Sequence, residues 1–190
     1  MTIRAKLALA SLVVMAGAIV LGVAIARHGF SAREKPTWVE KFFARHARRI
    51  ATPAGARDLQ NPYPLTQERL AAARAHWVDH CATCHALDGS GNTTPGKNMY
   101  PPAPELRDAT TQSLSDGELF YIINNGVRFT GMPAWGGVHS PEETWELVSF
   151  IRRLPALTPE ELKAMEESAR GGAAGGHMHT QESGGPPHEH

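Results

Sequence analysis

Two cysteines occur among the 190 residues, and the stretch HCATCHALDG sets Cys81 and Cys84 three positions apart with His85 directly behind them. Whatever those two thiols hold, the rest of the domain must fold around it. Three chemistries compete for the pair. A zinc site needs a second pair of ligands; there is no further cysteine, so histidines elsewhere would have to complete it. A thioredoxin-like disulfide wants a βαβ setting, whereas the flanking sequence reads as helices and Pro/Gly loops without alternating strands. C-x-x-C-H is instead the attachment signature of c-type haem: thiols at i and i+3 add to the two vinyl groups, and the adjacent imidazole becomes the proximal iron ligand. One covalent haem c is the expected cofactor.

Low-spin electron-transfer iron needs a second axial ligand on the opposite porphyrin face. Met132 in NNGVRFTGMPAWGG meets this demand. Gly131 permits close backbone approach, and Pro133 restricts the preceding residue to an extended conformation that points the thioether outward from a rigid loop. Met99, fourteen residues after His85, is the rival. Upstream, TQERLAAARAHWVDHC is rich in helix formers and spaces Leu70, Ala73, Trp77 and Cys81 along one face, so a helix carries apolar bulk into the cysteine pair. SDGELFYIINNG predicts a helix capped by Ser115 with Glu118 at its third position, Leu119, Ile122 and Ile123 inward, and Gly126 as a left-handed stop. SPEETWELVSFIRRLP repeats the pattern with Ser140, Pro141 and Glu143, and Trp145, Val148 and Ile151 form its buried stripe.

The formal charge of zero conceals a gradient. Residues 1–57 carry ten Lys/Arg against two acids, residues 65–157 seven against ten, and residues 158–190 two against six. Nothing in this distribution resembles a nucleic-acid footprint. Leu7 to Ala26 is a run of twenty residues without charge, about one hydrocarbon core in length as a helix. It exceeds the usual signal-peptide core, which favours an uncleaved anchor, while Ala24 and Ala26 keep a cleaved signal as the alternative. Arg27, Arg33, Lys35, Lys41 and Arg45 follow it and only Arg4 and Lys6 precede it, against the positive-inside rule for an exported domain. Thr37 to Ile50 places Val39, Phe43, His46 and Ile50 on one stripe with Trp38 and Phe42 beside it. Such a helix suits an anionic bilayer surface, and a solvated basic helix is the alternative. Residues 51–64 read as a linker.

The expected organisation is therefore a membrane anchor or signal over 1–26, a basic juxtamembrane segment and linker over 27–64, a folded domain over 65–157, a short acidic helix over 158–170 and a disordered Gly/His-rich tail over 171–190. The tail histidines His177, His179, His188 and His190, with Met178, form a candidate copper or zinc chelator, set against a plain solvated tail.

From about Leu65 to Leu157 the sequence resembles a class I monohaem cytochrome c of the bacterial membrane-anchored type, similar to the haem subunits of respiratory complexes. The resemblance rests on Trp77-x-x-x-Cys81-x-x-Cys84-His85, the Gly89-Ser90-Gly91 turn, Pro102-x-Pro104-x-Leu106 and Gly131-Met132-Pro133-x-Trp135. It implies a small all-α fold in which the helix bearing the motif is crossed by a C-terminal helix over 141–154, with loops wrapping the porphyrin. It implies that Trp77 packs in that crossing, that Leu106 lines the haem, and that the Trp135 indole either donates to a propionate or simply packs; Arg107, Lys97 and Arg128 are further propionate candidates. Because covalent c-type haem is assembled outside the cytoplasm, it also implies a haem domain in the periplasm of a bacterial inner membrane.

The function expected on this basis is single-electron transfer between redox protein partners of a membrane respiratory complex, as shuttle or subunit, with no small-molecule substrate and no catalytic acid or base. Two alternatives differ in kind: a catalytic or sensing haem with an open iron site, and a metal-delivery protein working through the tail.

Overall fold

The computed structural model describes residues 2–28 and 31–174, and every regular element among them is helical, with one isolated bridge between Gly136 and His139. Helix α1 spans Ile3–His28, and its charged residues sit near its ends. At 26 residues it reaches roughly 39 Å, long and apolar enough to cross a membrane. Its large apolar side chains are all exposed and find no packing partner among the described residues.

Helix α2 (Trp38–Ala51) begins where Thr37 and Glu40 satisfy each other: the Glu40 amide donates to Thr37 Oγ1 (3.3 Å) and the Thr37 amide to Glu40 Oε2 (2.6 Å). None of its side chains is buried, and Trp38, Phe43 and Ile50 stand in the open. The Tyr100 hydroxyl donates to Glu40 Oε1 at 2.6 Å, joining this helix to the domain that follows.

Residues 51–64 depart from the expected linker. They form the short helix α3 (Ala54–Arg57), and Thr52 and Ala56 are buried. Gly117 has no room for a Cβ against the Ala56 carbonyl, so the two backbones touch. Asn61 Nδ2 donates to Ser149 Oγ at 3.0 Å, and Arg57 Nε lies 3.4 Å from Glu118. Small residues and one well-placed amide thus lay the segment on the domain surface, which their Pro/Gly/Ala composition alone did not reveal.

The core is built where two helices cross. Helix α4 (Gln67–His76) runs into a π-helical turn (Trp77–Cys81) and on into α5 (Ala82–His85). Short helices α6 (Thr94–Asn98) and α7 (Ala109–Gln112) punctuate the loop that follows, before α8 (Asp116–Asn125) and α9 (Pro141–Arg153). Leu70, Ala73 and Trp77 from the first helix meet Leu147, Val148, Phe150 and Ile151 from α9, with the Trp77 and Phe150 rings 5.4 Å apart. Helix α8 adds Leu119 and Ile123, and Phe120 stacks on Trp145 at 4.4 Å. Ser115 and Ser140 form full capping boxes with Glu118 and Glu143, as expected. Ile122 is half-buried, and Gly126 takes φ +65° with an extended ψ of −170°, so it ends α8 through a conformation open to glycine although not the left-handed helical one.

A 3₁₀ turn (Leu154–Ala156) leads to α10 (Pro159–Ala174). The sequence predicts a short acidic helix over 158–170. The helix buries Met165 fully in the main core and continues four residues further. Each glycine at 171 and 172 costs about 1 kcal/mol in a helix interior, but Ala173 and Ala174 favour its continuation.

Candidate functional site

The helix that enters the core also delivers the motif. Cys81 closes the π-helical turn, and Cys84 and His85 occupy the last turn of α5, all three half-buried. Ala86, with φ +63°, then breaks the helix, and its carbonyl accepts the Trp77 indole N–H at 3.1 Å. The last carbonyls of a helix lack partners within it; here the returning loop supplies them. The Gly91 amide donates to the His85 carbonyl (2.8 Å) and Thr93 Oγ1 to the Cys84 carbonyl (3.1 Å). A Cβ on Gly96 would run into that same Cys84 carbonyl and stand 2.6 Å from the Gly91 carbonyl, so the loop closes on the motif only with glycine there. The Leu106 amide donates to Gly89 (2.9 Å), and its side chain joins the core beside Trp77.

Both thiols are free. Burial pushes the Cys81 thiol up to about 12, and the neighbouring Cys84 adds to the effect. Nucleophilic and redox-active cysteines show the opposite shift, toward thiolate at neutral pH, so Cys81 lacks the electrostatics of an attacking thiol. Burial likewise holds the His85 imidazole below its ordinary value, with the facing Pro104 carbonyl pulling the other way. His85 Nδ1 is buried with no hydrogen bond of ordinary geometry. A neutral, buried imidazole next to two thiols at i and i+3 is the donor set that haem c requires, and the residues present fit that group.

The loop between α8 and α9 carries the second predicted ligand. The Val127 amide donates to the Met132 carbonyl (3.1 Å) and the Met132 amide to Thr130 Oγ1 (3.1 Å), closing a tight turn. Gly126 is required twice over: its φ is positive, and a Cβ would lie 2.6 Å from the Pro133 carbonyl carbon. Met132 packs half-buried against the core. The Met99 thioether rests against Gly131 so closely that no Cβ fits between them, which brings both candidate methionines to one loop.

Trp135, also half-buried, stacks on His139 with ring centroids 4.6 Å apart and planes 13° from parallel. Arg107 is taken up by Glu105 (2.7 Å) and Asp88 (3.0 Å), so its guanidinium is already engaged by two carboxylates; Lys97 and Arg128 are exposed. His177, His179, His188 and His190 lie outside the described residues. The sequence reading missed Thr93 and Gly96 as positioning residues, took Gly126 only as a helix stop, and left His76, His80 and His139 unconnected.

Comparison with known proteins follows this geometry. A family model described as cytochrome c oxidase, cbb3-type, subunit III matches residues 68–151. Among solved structures, a chain of the reducing HAO-like protein complex of Kuenenia stuttgartiensis is similar at 18% sequence identity and a TM-score of 0.43, covering 50% of this chain and 49% of that one. The present chain therefore spans about half the length of that structure.

Proposed function

From the premise that this chain carries a c-type cytochrome domain within residues 68–151, we propose that it is a membrane-tethered, single-haem electron carrier. Haem c, when bound, supplies one-electron chemistry at its iron. Everything else is the work of this chain. Cys81 and Cys84 would tether the group, and His85 and Met132 would hold its iron. Trp77 and Leu106, both buried, exclude water beside the motif, which is one of the means by which a protein tunes a haem potential. Trp135 closes the methionine loop by packing on His139. The observation that carries this reading is the half-buried His85 imidazole, its buried Nδ1 facing the Pro104 carbonyl without a hydrogen bond of ordinary geometry, at the end of a helix bearing two free thiols.

Helix α1 is the tether, in a bacterial inner membrane; its length, apolar composition and exposed side chains support this. The haem domain lies on the periplasmic side, a placement that rests on the family resemblance and runs against the flanking charges. The folded body runs from about residue 52 to α10. The partners are redox proteins of a respiratory complex. Between residues 65 and 157 acidic side chains outnumber basic ones by ten to seven, so a partner bearing a basic patch is the complementary one.

The test is purification from native membranes followed by spectroscopy. One tetrapyrrole should remain on the denatured chain. The ferric protein should show a thioether-to-iron charge-transfer band that survives Met99→Ala and vanishes in Met132→Ala. Loss of the band in Met99→Ala alone would move the ligand, and high-spin iron in the wild type would overturn the carrier reading.

A further inference from the structure

Three histidines that electron transfer leaves unused converge where α4 enters the π-helical turn. One ring nitrogen from each of His76, His80 and His139 lies within 4.8 Å of the others. His76 Nε2 and His139 Nε2 are only 3.0 Å apart, and the His76 and His80 rings are 4.8 Å apart. Two of the three come from one helix face, since residues four apart are neighbours on a helical surface. The third arrives 63 residues later from the Gly136-Gly137 turn, held by its own amide donating to the Trp135 carbonyl at 2.8 Å and by stacking on the indole.

The surroundings favour the ligating form of His76 and His139. Burial first, and the neighbouring histidines second, hold His76 and His139 below the ordinary imidazole value, with Glu143 opposing at both and Asp79 also at His76. Neutral imidazole is the form that binds metal. Glu143 is fixed by its capping box, Oε2 accepting from the Ser140 amide at 2.7 Å, and its other oxygen stands 4.0 Å from His76 Nδ1. With His76 Nε2 turned toward the cluster and Nδ1 toward a fixed carboxylate 4.0 Å away, a small movement of either side chain would give the hydrogen bond by which a carboxylate orients a metal-bound imidazole. His139 is buried, His76 half-buried and His80 exposed, so the cluster has a solvent side through which an ion can enter.

We propose that His76, His80 and His139 bind one divalent transition-metal ion of the zinc class, with Glu143 positioning His76 and a fourth coordination position left toward solvent. Tetrahedral zinc with bonds of about 2.0–2.1 Å sets its nitrogens roughly 3.4 Å apart. The observed separations, from 3.0 Å to within 4.8 Å, reach that figure by side-chain rotation, chiefly of exposed His80. Bound there, the ion joins the helix that ends in the C-x-x-C-H motif to the loop that carries Met132, since His80 precedes Cys81 directly and Trp135 lies three residues beyond Met132. The inference stands on the imidazole geometry and does not depend on the direction or partners of electron transfer.

The probe is Zn²⁺ in equilibrium dialysis, read by elemental analysis, on the full-length haem-loaded protein in which His177, His179, His188 and His190 are all changed to Gln. The expected result is one Zn²⁺ per chain, weakened at least 100-fold by His76→Gln or His139→Gln and at least 10-fold by His80→Gln. Glu143→Gln, which preserves the helix cap, should weaken it 10- to 100-fold, and His46→Gln on α2 should leave it unchanged. Because His139 is buried, exposed His80 keeps the test decisive: a folded His80→Gln protein, with unaltered haem absorption, that still binds Zn²⁺ at wild-type affinity overturns the proposal, as does less than one Zn²⁺ per chain in the parent.

Discussion

Replacing Gly96 by alanine opposes two effects of known size. Gly96 lies within α6, where alanine is preferred over glycine by about 1 kcal/mol. Against that, its new Cβ would meet the Cys84 carbonyl, the Gly91 carbonyl at 2.6 Å and Thr93 Oγ1 at 2.8 Å. Two of these are backbone atoms that cannot rotate away, so the cost belongs at the upper end of the roughly 1–3 kcal/mol range for overpacking. Displacing Thr93 from the Cys84 carbonyl removes a hydrogen bond worth about 1 kcal/mol more. The net expectation is a loss of about 2–3 kcal/mol, or a fall of roughly 1–1.5 M in the urea midpoint for an m-value near 2 kcal/mol/M. Gly55→Ala is the matched control: nothing lies within 4 Å of its Cβ position, so it should gain about 0.4–1 kcal/mol. Urea unfolding of the haem-loaded protein, with the ferric thioether band as a second readout, compares the two. A Gly96→Ala midpoint at or above that of the wild type refutes the idea that close backbone contact holds the loop on the motif.

Phe150→Ala removes a fully buried ring packed on Trp77 and should cost about 3–5 kcal/mol by denaturant unfolding. The Glu161 carboxylate is held below the usual range first by the Thr158 amide at 2.8 Å, with Arg153 and Arg74 helping. A depressed carboxylate contributes stability that is complete above its unfolded value of about 4.3 and is lost as pH falls through the native value. The urea midpoint should therefore drop below about pH 4.5, and Glu161→Gln should flatten that part of the slope. Association with a basic redox partner should weaken steadily between low and physiological ionic strength, seen as a falling on-rate in stopped-flow mixing; an on-rate independent of salt removes the charge argument.

What the sequence made legible was local. Ser115 with Glu118, and Ser140 with Pro141 and Glu143, mark helix starts because the caps are satisfied within four residues. Trp77 and the α9 stripe could be read from period alone, since each faces the other across one crossing. The spacing of the motif pointed to haem attachment, and the structure brings Cys81, Cys84 and His85 together, half-buried, at the end of one helix. The remainder depends on partners far away in the chain. Asn61 reaches Ser149 across 88 residues, and no composition rule distinguishes such an amide from one in a free linker. Met165 looks like any methionine in an acidic helix until α10 lays it on the core. His76 and His80 shared a visible face, but the ring that completes the trio lies on a Gly-rich turn whose path only the fold determines.

The π-helical turn at Trp77–Cys81 has a mechanical consequence. One additional residue in a helix advances the following side chains by about 100° about its axis. The stretch before the turn can therefore present Leu70 and Ala73 to α9 while the stretch after it aims Cys84 and His85 along a different bearing. Scaffold and C-x-x-C-H motif share a single rod whose two halves are clocked apart, and removing Val78 would bring them back into phase and turn the thiols away from their present heading.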